Sequence, residues 1–151
     1  MDLSDEIIIP APRARVYAAL QDTAILSRCI PGCEELLRHS DTDLEAKVVL
    51  KVGPVKARFS GKVTLNPENP PERFSLTGEG NGGVAGFAKG GATVTLEDRG
   101  GETLLRYDAR ADIGGKLAQL GSRLLQGTAQ KLAAAFFEEF RKALAEEAAA
   151  V

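Results

Sequence analysis

The stretch that decides the fold is residues 114–147, GGKLAQLGSRLLQGTAQKLAAAFFEEFRKALAEE. Apolar residues recur there at helical spacing and charged residues fill the other side, which predicts one amphipathic helix from Gly114 to about Glu147. A helix of about 30 residues is about 45 Å long. The helix is not apolar enough to span a bilayer, so the apolar stripe along one side of it must be buried against a large protein surface. The stripe consists of Leu117, Leu120, Leu124, Thr128, Leu132, Ala135, Phe136 and Phe140.

Several segments in which apolar and polar residues alternate precede this helix, and the strands that they predict would supply that surface. The pattern predicts a first strand at 3–9, two short helices, the second capped by Asp22, and strands at 44–52, 55–65, 74–80, 92–96 and 102–113. This order predicts an α+β domain over residues 1–147, with a curved antiparallel sheet wrapped around the long C-terminal helix, followed by a tail at 148–151. A sheet curved around a helix commonly leaves a cavity, so the pattern favours a container.

Composition excludes several classes of function. The 151 residues are 44% hydrophobic and carry a net charge of −2, so no basic excess indicates nucleic-acid binding. The acidic N-terminus has no secretory signal, and no apolar run approaches about 18 residues. We therefore expect a cytoplasmic protein.

Groups suited to catalysis or metal binding are scarce. His39 is the single histidine, so no Ser-His-Asp set is indicated. Cys29 and Cys33 flank Pro31-Gly32, but a structural zinc usually needs four ligands. We predict free thiols, no metal, no cofactor and no catalytic residue.

A glycine-rich segment, residues 77–91, has seven glycines in fifteen residues. A phosphate-binding loop needs a following helix, and here a strand follows. Two interpretations remain open. The segment is either a plain hairpin connection, or a mobile lid over residues 80–90 with Val84 and Phe87 as apolar tips.

Positions on the predicted inner face are the candidate ligand-binding residues. Tyr107 either donates a hydrogen bond to a ligand or is simply core. Gly121 and Gly127, inside the predicted helix, either allow close packing or a kink, or leave room for a ligand. The full candidate set is Leu50, Phe59, Phe74, Leu76, Val84, Phe87, Tyr107, Leu117, Leu120, Leu124 and Thr128.

Three segments resemble a known family. Residues 30–36 (IPGCEEL) and the glycine-rich run with the strand 92–96 (ATVTL) resemble the CoxG-like proteins, a family of carbon monoxide dehydrogenase subunits. Residues 7–22 (IIIPAPRARVYAALQD) resemble the start of the wider helix-grip superfamily, which includes START lipid-transfer domains and polyketide cyclases. The resemblance runs from about residue 3 to residue 145.

The resemblance implies a seven-stranded helix-grip fold with an internal hydrophobic cavity. It also implies an accessory of a molybdenum hydroxylase of the carbon monoxide dehydrogenase type, associated with membrane recruitment or maturation. We expect a non-enzymatic protein that binds a lipophilic molecule, lipid- or quinone-like. Its expected partners are the hydroxylase subunits and, transiently, the inner face of the membrane.

Two other classes of function stay open at this point. One is a cyclase or dehydratase that uses the same cavity. The other is a protein-interaction module with a filled core. The inner positions offer Tyr107 and Thr128 but no carboxylate or imidazole, which disfavours the enzyme.

Overall fold

A computed structural model describes residues 1–150 of the protein as an antiparallel sheet with three helices. The strands are β1 (Asp2–Ile9), β2 (Cys33–Arg38), β3 (Asp43–Val52), β4 (Val55–Asn69), β5 (Arg73–Asn81), β6 (Phe87–Asp98) and β7 (Thr103–Gly114). The helices are α1 (Arg13–Ala19), α2 (Thr23–Cys29) and α3 (Ser122–Ala149). Two 3₁₀ turns, Gly83–Ala85 and Gly115–Leu120, complete the elements.

All neighbouring strands pair antiparallel, in the order β1-β7-β6-β5-β4-β3-β2. The α+β helix-grip prediction is confirmed. The residue pattern locates every strand except β2. This strand pairs only with β3, and its register shifts between Cys33 and Glu35, so it lacks the regular alternation of a half-buried strand.

The two short helices follow β1 as predicted, and they lead into β2. The Asp22 side chain accepts hydrogen bonds from the backbone N–H groups of Ala24, at 2.9 Å, and Ile25, at 3.4 Å, which caps α2. Exposed ion pairs tie these helices to the end of α3. Arg15 of α1 pairs with Glu147, and Arg28 of α2 donates to both carboxylate oxygens of Glu146 at 2.9 and 3.0 Å.

The predicted helix from Gly114 is wrong over its first two turns. Residues Gly115–Leu120 form a 3₁₀ turn, and Gly121 has φ of 90°, a left-handed value that an α-helix cannot contain. The α-helix starts only at Ser122, so Gly121 lies before it and Gly127 lies inside it. At 28 residues, α3 is still about 42 Å long.

The break at Gly121 changes which leucine faces the sheet. The predicted stripe continues from Leu120 to Leu124, but Leu124 is 38% exposed. Leu125 instead packs with Leu117 and Leu120. Because Gly121 resets the helical phase, the inner face is displaced by one residue at this point. The inward placement of Leu124 is therefore corrected to Leu125.

The core consists of separate clusters at the two ends of the sheet. The large cluster surrounds Phe140, which is fully buried together with Ile9 and Leu105. The small cluster surrounds Phe59 and Leu117 at the other end. A further group packs Leu26 of α2 against Leu44 of β3 and Leu65 of β4. The middle of the sheet, between the two end clusters, contributes few large side chains.

Candidate functional site

Seven of the eleven candidate ligand-binding residues divide between the two end clusters. Phe74, Leu76 and Tyr107 belong to the large cluster or pack against it. The small cluster contains Phe59 and Leu117, with Leu50 and Leu120 packed against it. The structure thus brings these residues to opposite ends of the inner face and not into one continuous patch.

The remaining four candidates lie elsewhere. Val84 is 95% exposed and Phe87 is 52% exposed, both at the loop end of the sheet. Leu124 lies against the β3–β4 turn, since a Cβ atom placed on Gly53 would be 2.7 Å from its side chain. Thr128 is half-buried on α3.

Between the two clusters, small residues occupy two adjacent rows of the inner face. These rows, the small-residue band, follow from strand register. One row joins Ala46, Gly61, Gly80 and Ala88 across β3 to β6, and the next joins Val63, Gly78, Gly90 and Ala111 across β4 to β7. Alternation places both rows on the face that carries Phe59 and Phe74.

The space above three glycines of this band is open, whereas a Cβ atom on the fourth, Gly90, would lie 2.1 Å from the Arg110 carbonyl oxygen. A Cβ atom placed on Gly80 would meet only the Ser60 carbonyl oxygen, at 3.9 Å. On Gly61 the nearest atom would be the Glu79 carbonyl oxygen, at 3.4 Å. For these positions and for Gly78, no described atom of α3 lies within 4 Å. We call the space between the band and α3 the central gap.

The clusters at the two ends of the gap are apolar, and Tyr107 belongs to the large one. Its ring stacks on Phe137 with centroids 5.4 Å apart. Burial raises the pKa of Tyr107, and the nearby Asp5 carboxylate raises it further. The hydroxyl is therefore protonated at neutral pH and is suited to donate a hydrogen bond, not to act as a base.

A cleft of about 620 Å³ opens beside Tyr107, between edge strand β1 and α3. Leu3, Ile7 and Phe137 line its apolar side, and Glu138 and Arg141 line its rim. A larger groove of about 1020 Å³ lies on the outer face of the sheet, but its lining is rich in charged and hydroxyl side chains. The outer groove therefore does not suit a lipophilic ligand.

The thiols and the histidine show no catalytic arrangement. Burial raises the pKa of Cys29 and of Cys33, which keeps both thiols protonated at neutral pH. His39 is exposed and hydrogen-bonds Glu45 at 2.7 Å. Within residues 1–150, no three His, Cys, Asp or Glu side chains group as a metal site would require.

The glycine-rich segment is mostly paired strand. Asn81 pairs with Phe87, so the connection is only Gly82–Gly86, shorter than the predicted span of 80–90. A Cβ atom on Gly82 would lie 2.4 Å from the Phe59 ring, so the loop rests directly on the small cluster. Gly86 similarly approaches the carbonyl oxygen of Gly114. Movement of this loop as a lid stays a prediction.

Sequence reasoning missed the small-residue band, although the signal was present. Gly61, Gly78 and Gly80 alternate in phase with Phe59 and Phe74, which already places them on the inner face. Glycines at inward strand positions indicate a face without side chains to fill the space. Their number near residues 77–91 instead suggested a flexible loop.

No helix in the described part of the chain is long and apolar enough to cross a membrane. Among curated proteins, none matches the sequence.

Several solved structures share the fold. A conserved protein from Geobacillus kaustophilus superposes with a TM-score of 0.90 at 28% identity, covering 97% of this chain and 96% of the other. A START superfamily protein from Mycobacterium smegmatis has a TM-score of 0.66 at 14% identity, covering 93% and 97%. The Zhui aromatase/cyclase from Streptomyces sp. R1128 has a TM-score of 0.64 at 11% identity, covering 94% and 92%.

The last two identities are low enough that these likenesses concern the fold alone. The family model of CoxG, a carbon monoxide dehydrogenase subunit, matches residues 6–145, nearly the whole domain. The match spans both end clusters, the small-residue band and most of α3. This chain therefore belongs to the CoxG family of carbon monoxide dehydrogenase subunits.

Proposed function

We propose that this protein binds a lipophilic small molecule, lipid- or quinone-like, in the central gap, without transforming it. The observation that carries the proposal is the open space above Gly61, Gly78 and Gly80. No described atom of α3 lies within 4 Å of a Cβ atom placed on any of these three glycines. Ligand sites in proteins are mostly apolar with few polar groups, and this gap has an apolar cluster at each end and one tyrosine nearby.

The proposed role is that of an accessory to a molybdenum hydroxylase of the carbon monoxide dehydrogenase type. Support comes from membership of the CoxG family. In this proposal the protein is cytoplasmic, contacts the inner face of the membrane peripherally, and assists recruitment or maturation of the hydroxylase. Size-exclusion chromatography of the chain mixed with a purified hydroxylase of this type tests the partnership. Separate elution at micromolar concentrations of both would count against it.

A cyclase or dehydratase is the second candidate, because the Zhui aromatase/cyclase shares the fold. Acid–base catalysis needs a group within about 2.6–3.2 Å of the reacting proton, or one water away. Near the gap, Tyr107 is protonated at neutral pH, and Thr128 has no base hydrogen-bonded to it among the described residues. The side chains therefore favour binding over turnover.

Native mass spectrometry of the purified chain, with solvent extraction of any bound molecule, tests the binding proposal. We expect an adduct of small-molecule mass on the natural chain and its loss in Gly80→Leu, which fills the gap. Thr77→Leu is a matched control, because it adds the same side chain to the same strand at an exposed position on the outer face, where it cannot fill the gap. An adduct retained in Gly80→Leu would place the ligand elsewhere.

Incubation of the chain with the extracted molecule separates carrier from enzyme. We expect the molecule to be recovered unchanged. Tyr107→Phe should weaken binding by no more than the roughly 0.5–1.5 kcal/mol of one neutral hydrogen bond. A new product that disappears in Tyr107→Phe would instead establish the cyclase-like alternative.

A further inference from the structure

One end of the domain has an unusual distribution of charge. The segments 50–58, 80–88 and 113–127 contain no aspartate or glutamate. They contribute five basic residues. Arg58 pairs with Glu34 at 2.7 Å, and none of the other four, Lys51, Lys56, Lys116 and Arg123, makes an ion pair with any described residue. The chain as a whole has a net charge of −2, so this end stands apart from the rest.

The packing shows that these segments meet at one end. The β3–β4 turn touches Leu124 at Gly53, and Gly82 rests on Phe59. Gly86 in turn approaches Leu117 of the second 3₁₀ turn. The β3–β4 turn, the β5–β6 connection, the 3₁₀ turn at 115–120 and the start of α3 thus form one surface.

Two of the lysines face each other across the β3–β4 hairpin. The register pairs Lys51 directly with Lys56, on the outer face opposite Leu50 and Val55. Like charges directly opposite each other in a sheet are destabilising. Farther from the turn the same sheet compensates its charges, since Lys62, Glu79, Lys89 and Asp112 alternate in sign along one row of the register. A negatively charged partner bound beside Lys51 and Lys56 would therefore relieve their mutual repulsion.

Exposed apolar side chains stand among these cations. Val84, at the crest of the β5–β6 connection, is 95% exposed, and Phe87 at the start of β6 is 52% exposed. Leu124 is exposed beside Arg123. Apolar tips surrounded by basic residues are what insertion into the headgroup region of an anionic bilayer requires.

We propose that this end of the molecule, which we call the basic tip, docks on the surface of an anionic lipid bilayer. The basic tip consists of Lys51, Lys56, Val84, Phe87, Lys116, Arg123 and Leu124. It covers the small cluster, which is one wall of the central gap, so docking would bring that wall to the lipid. The inference deepens the proposed function by assigning the membrane contact to a surface, but the docking itself needs no ligand in the gap.

A bilayer fits these features better than an acidic protein surface does. The apolar residues lie on separate projecting elements and do not form a flat patch of the kind that fills a protein interface core. Basic residues near an anionic membrane each strengthen binding by about fivefold, whereas salt bridges at a protein rim contribute little. The test below separates the two partners.

Co-sedimentation of the full chain with vesicles is the experiment. Vesicles of phosphatidylcholine alone are compared with vesicles that contain phosphatidylglycerol as well, at low and high salt. We expect binding only to the anionic vesicles and a marked decrease at high salt, because surface charges are screened. Lys51→Gln/Lys56→Gln should weaken binding about 25-fold, that is, about fivefold for each charge removed. Val84→Asp should also weaken it, with the fold unaffected by a change at so exposed a site.

The control variant is Lys62→Gln/Lys131→Gln, which removes the same charge from exposed positions outside the basic tip. It should bind nearly as well as the natural chain, because charges farther from the bilayer than a Debye length of about 10 Å are largely screened. The lysine pair variant should also melt no lower than the natural chain, since it relieves repulsion. Weaker binding in that variant therefore cannot be attributed to unfolding.

Three results would overturn the proposal: no binding to anionic vesicles, equal binding to both kinds of vesicle, or equal loss in the control variant. A basic tip that binds an acidic protein but no vesicle is a protein interface. Ligand adducts seen by native mass spectrometry without vesicles report on the central gap alone. If the chain does not bind vesicles but still carries ligand adducts, only the docking proposal fails. If the adducts are absent but the chain binds anionic vesicles, only the ligand-binding proposal fails.

Discussion

Replacing Gly80 by alanine, valine and leucine measures directly whether the central gap is empty. Gly80 lies on the inner face of β5, and a Cβ atom there would have only the Ser60 carbonyl oxygen within 4 Å, at 3.9 Å. Its φ is outside the left-handed region, so a side chain introduces no backbone strain. An empty gap accepts these side chains, and a filled core does not.

The two possibilities differ in the sign of the stability change. Glycine inside a strand is about 0.5–1 kcal/mol less favourable than alanine, so an empty gap predicts a gain of about that size. A filled core predicts a loss of about 1–3 kcal/mol from overpacking. For a protein of this length, 1 kcal/mol corresponds to roughly 2–4 °C in Tm. The expected result is therefore a Tm about 1–4 °C higher for Gly80→Ala, with no fall for valine.

Thermal unfolding by circular dichroism gives the measurement, and native mass spectrometry of the same samples gives ligand occupancy. Occupancy should fall from alanine to valine to leucine as the gap fills. Gly82→Ala is the internal control in the same segment. A Cβ atom there would lie 2.4 Å from the Phe59 ring, so this variant should be destabilised although its φ of −108° suits any residue.

A decrease in Tm of several degrees for both Gly80→Ala and Gly80→Val would refute the reasoning. It would mean that α3 or another element already occupies the space above the band. The interaction module with a filled core would then be the better interpretation of this chain.

Three further changes test the packing. Thr103→Val should cost about 1–3 kcal/mol in urea unfolding, because the fully buried Thr103 hydroxyl donates to the Ala11 carbonyl oxygen at 2.7 Å and valine leaves that oxygen unpaired. Leu125→Ala should lower Tm more than Leu124→Ala, since only the former residue packs in the small cluster; the reverse order would restore the predicted helical phase. Hydrogen bonds from Arg28 lower the pKa of Glu146, so the carboxylate stabilises the fold at pH values above 4.5, the ordinary pKa of glutamate. This stabilisation is lost as the pH falls through the lower pKa that Glu146 has in the folded state. The Tm difference between the natural chain and Glu146→Gln should therefore close on acidification below 4.5, and a difference constant with pH would contradict the ion pair.

Local patterns were sufficient for most of the secondary structure. The alternation of apolar and polar residues located β3 to β7, because each of these strands has one solvent-exposed face and one apolar face. Asp22 identified the start of α2 because an N-cap is decided within three residues. Strand β2 escaped because an edge strand with a shifted register has no such alternation.

The beginning of α3 could not be predicted from the helical spacing. Glycine is tolerated inside helices at a cost of about 1 kcal/mol, so Gly121 and Gly127 looked alike. Only one of them adopts a positive φ. That difference depends on how the 3₁₀ turn docks against Gly86, which is a long-range contact.

The sequence by itself determined the α+β class, the order of the elements other than β2 and the face of the residues in the strands that it located, because side-chain periodicity is a local property of the backbone. The resemblance in residues 30–36 and 7–22 pointed to the family that the match over residues 6–145 established. Tertiary structure alone decided that the apolar candidates separate into two clusters, that Leu125 replaces Leu124, and that glycines from different strands join into one band. These features arise from strand register and helix docking, which bring together residues far apart in the chain and which no local pattern encodes.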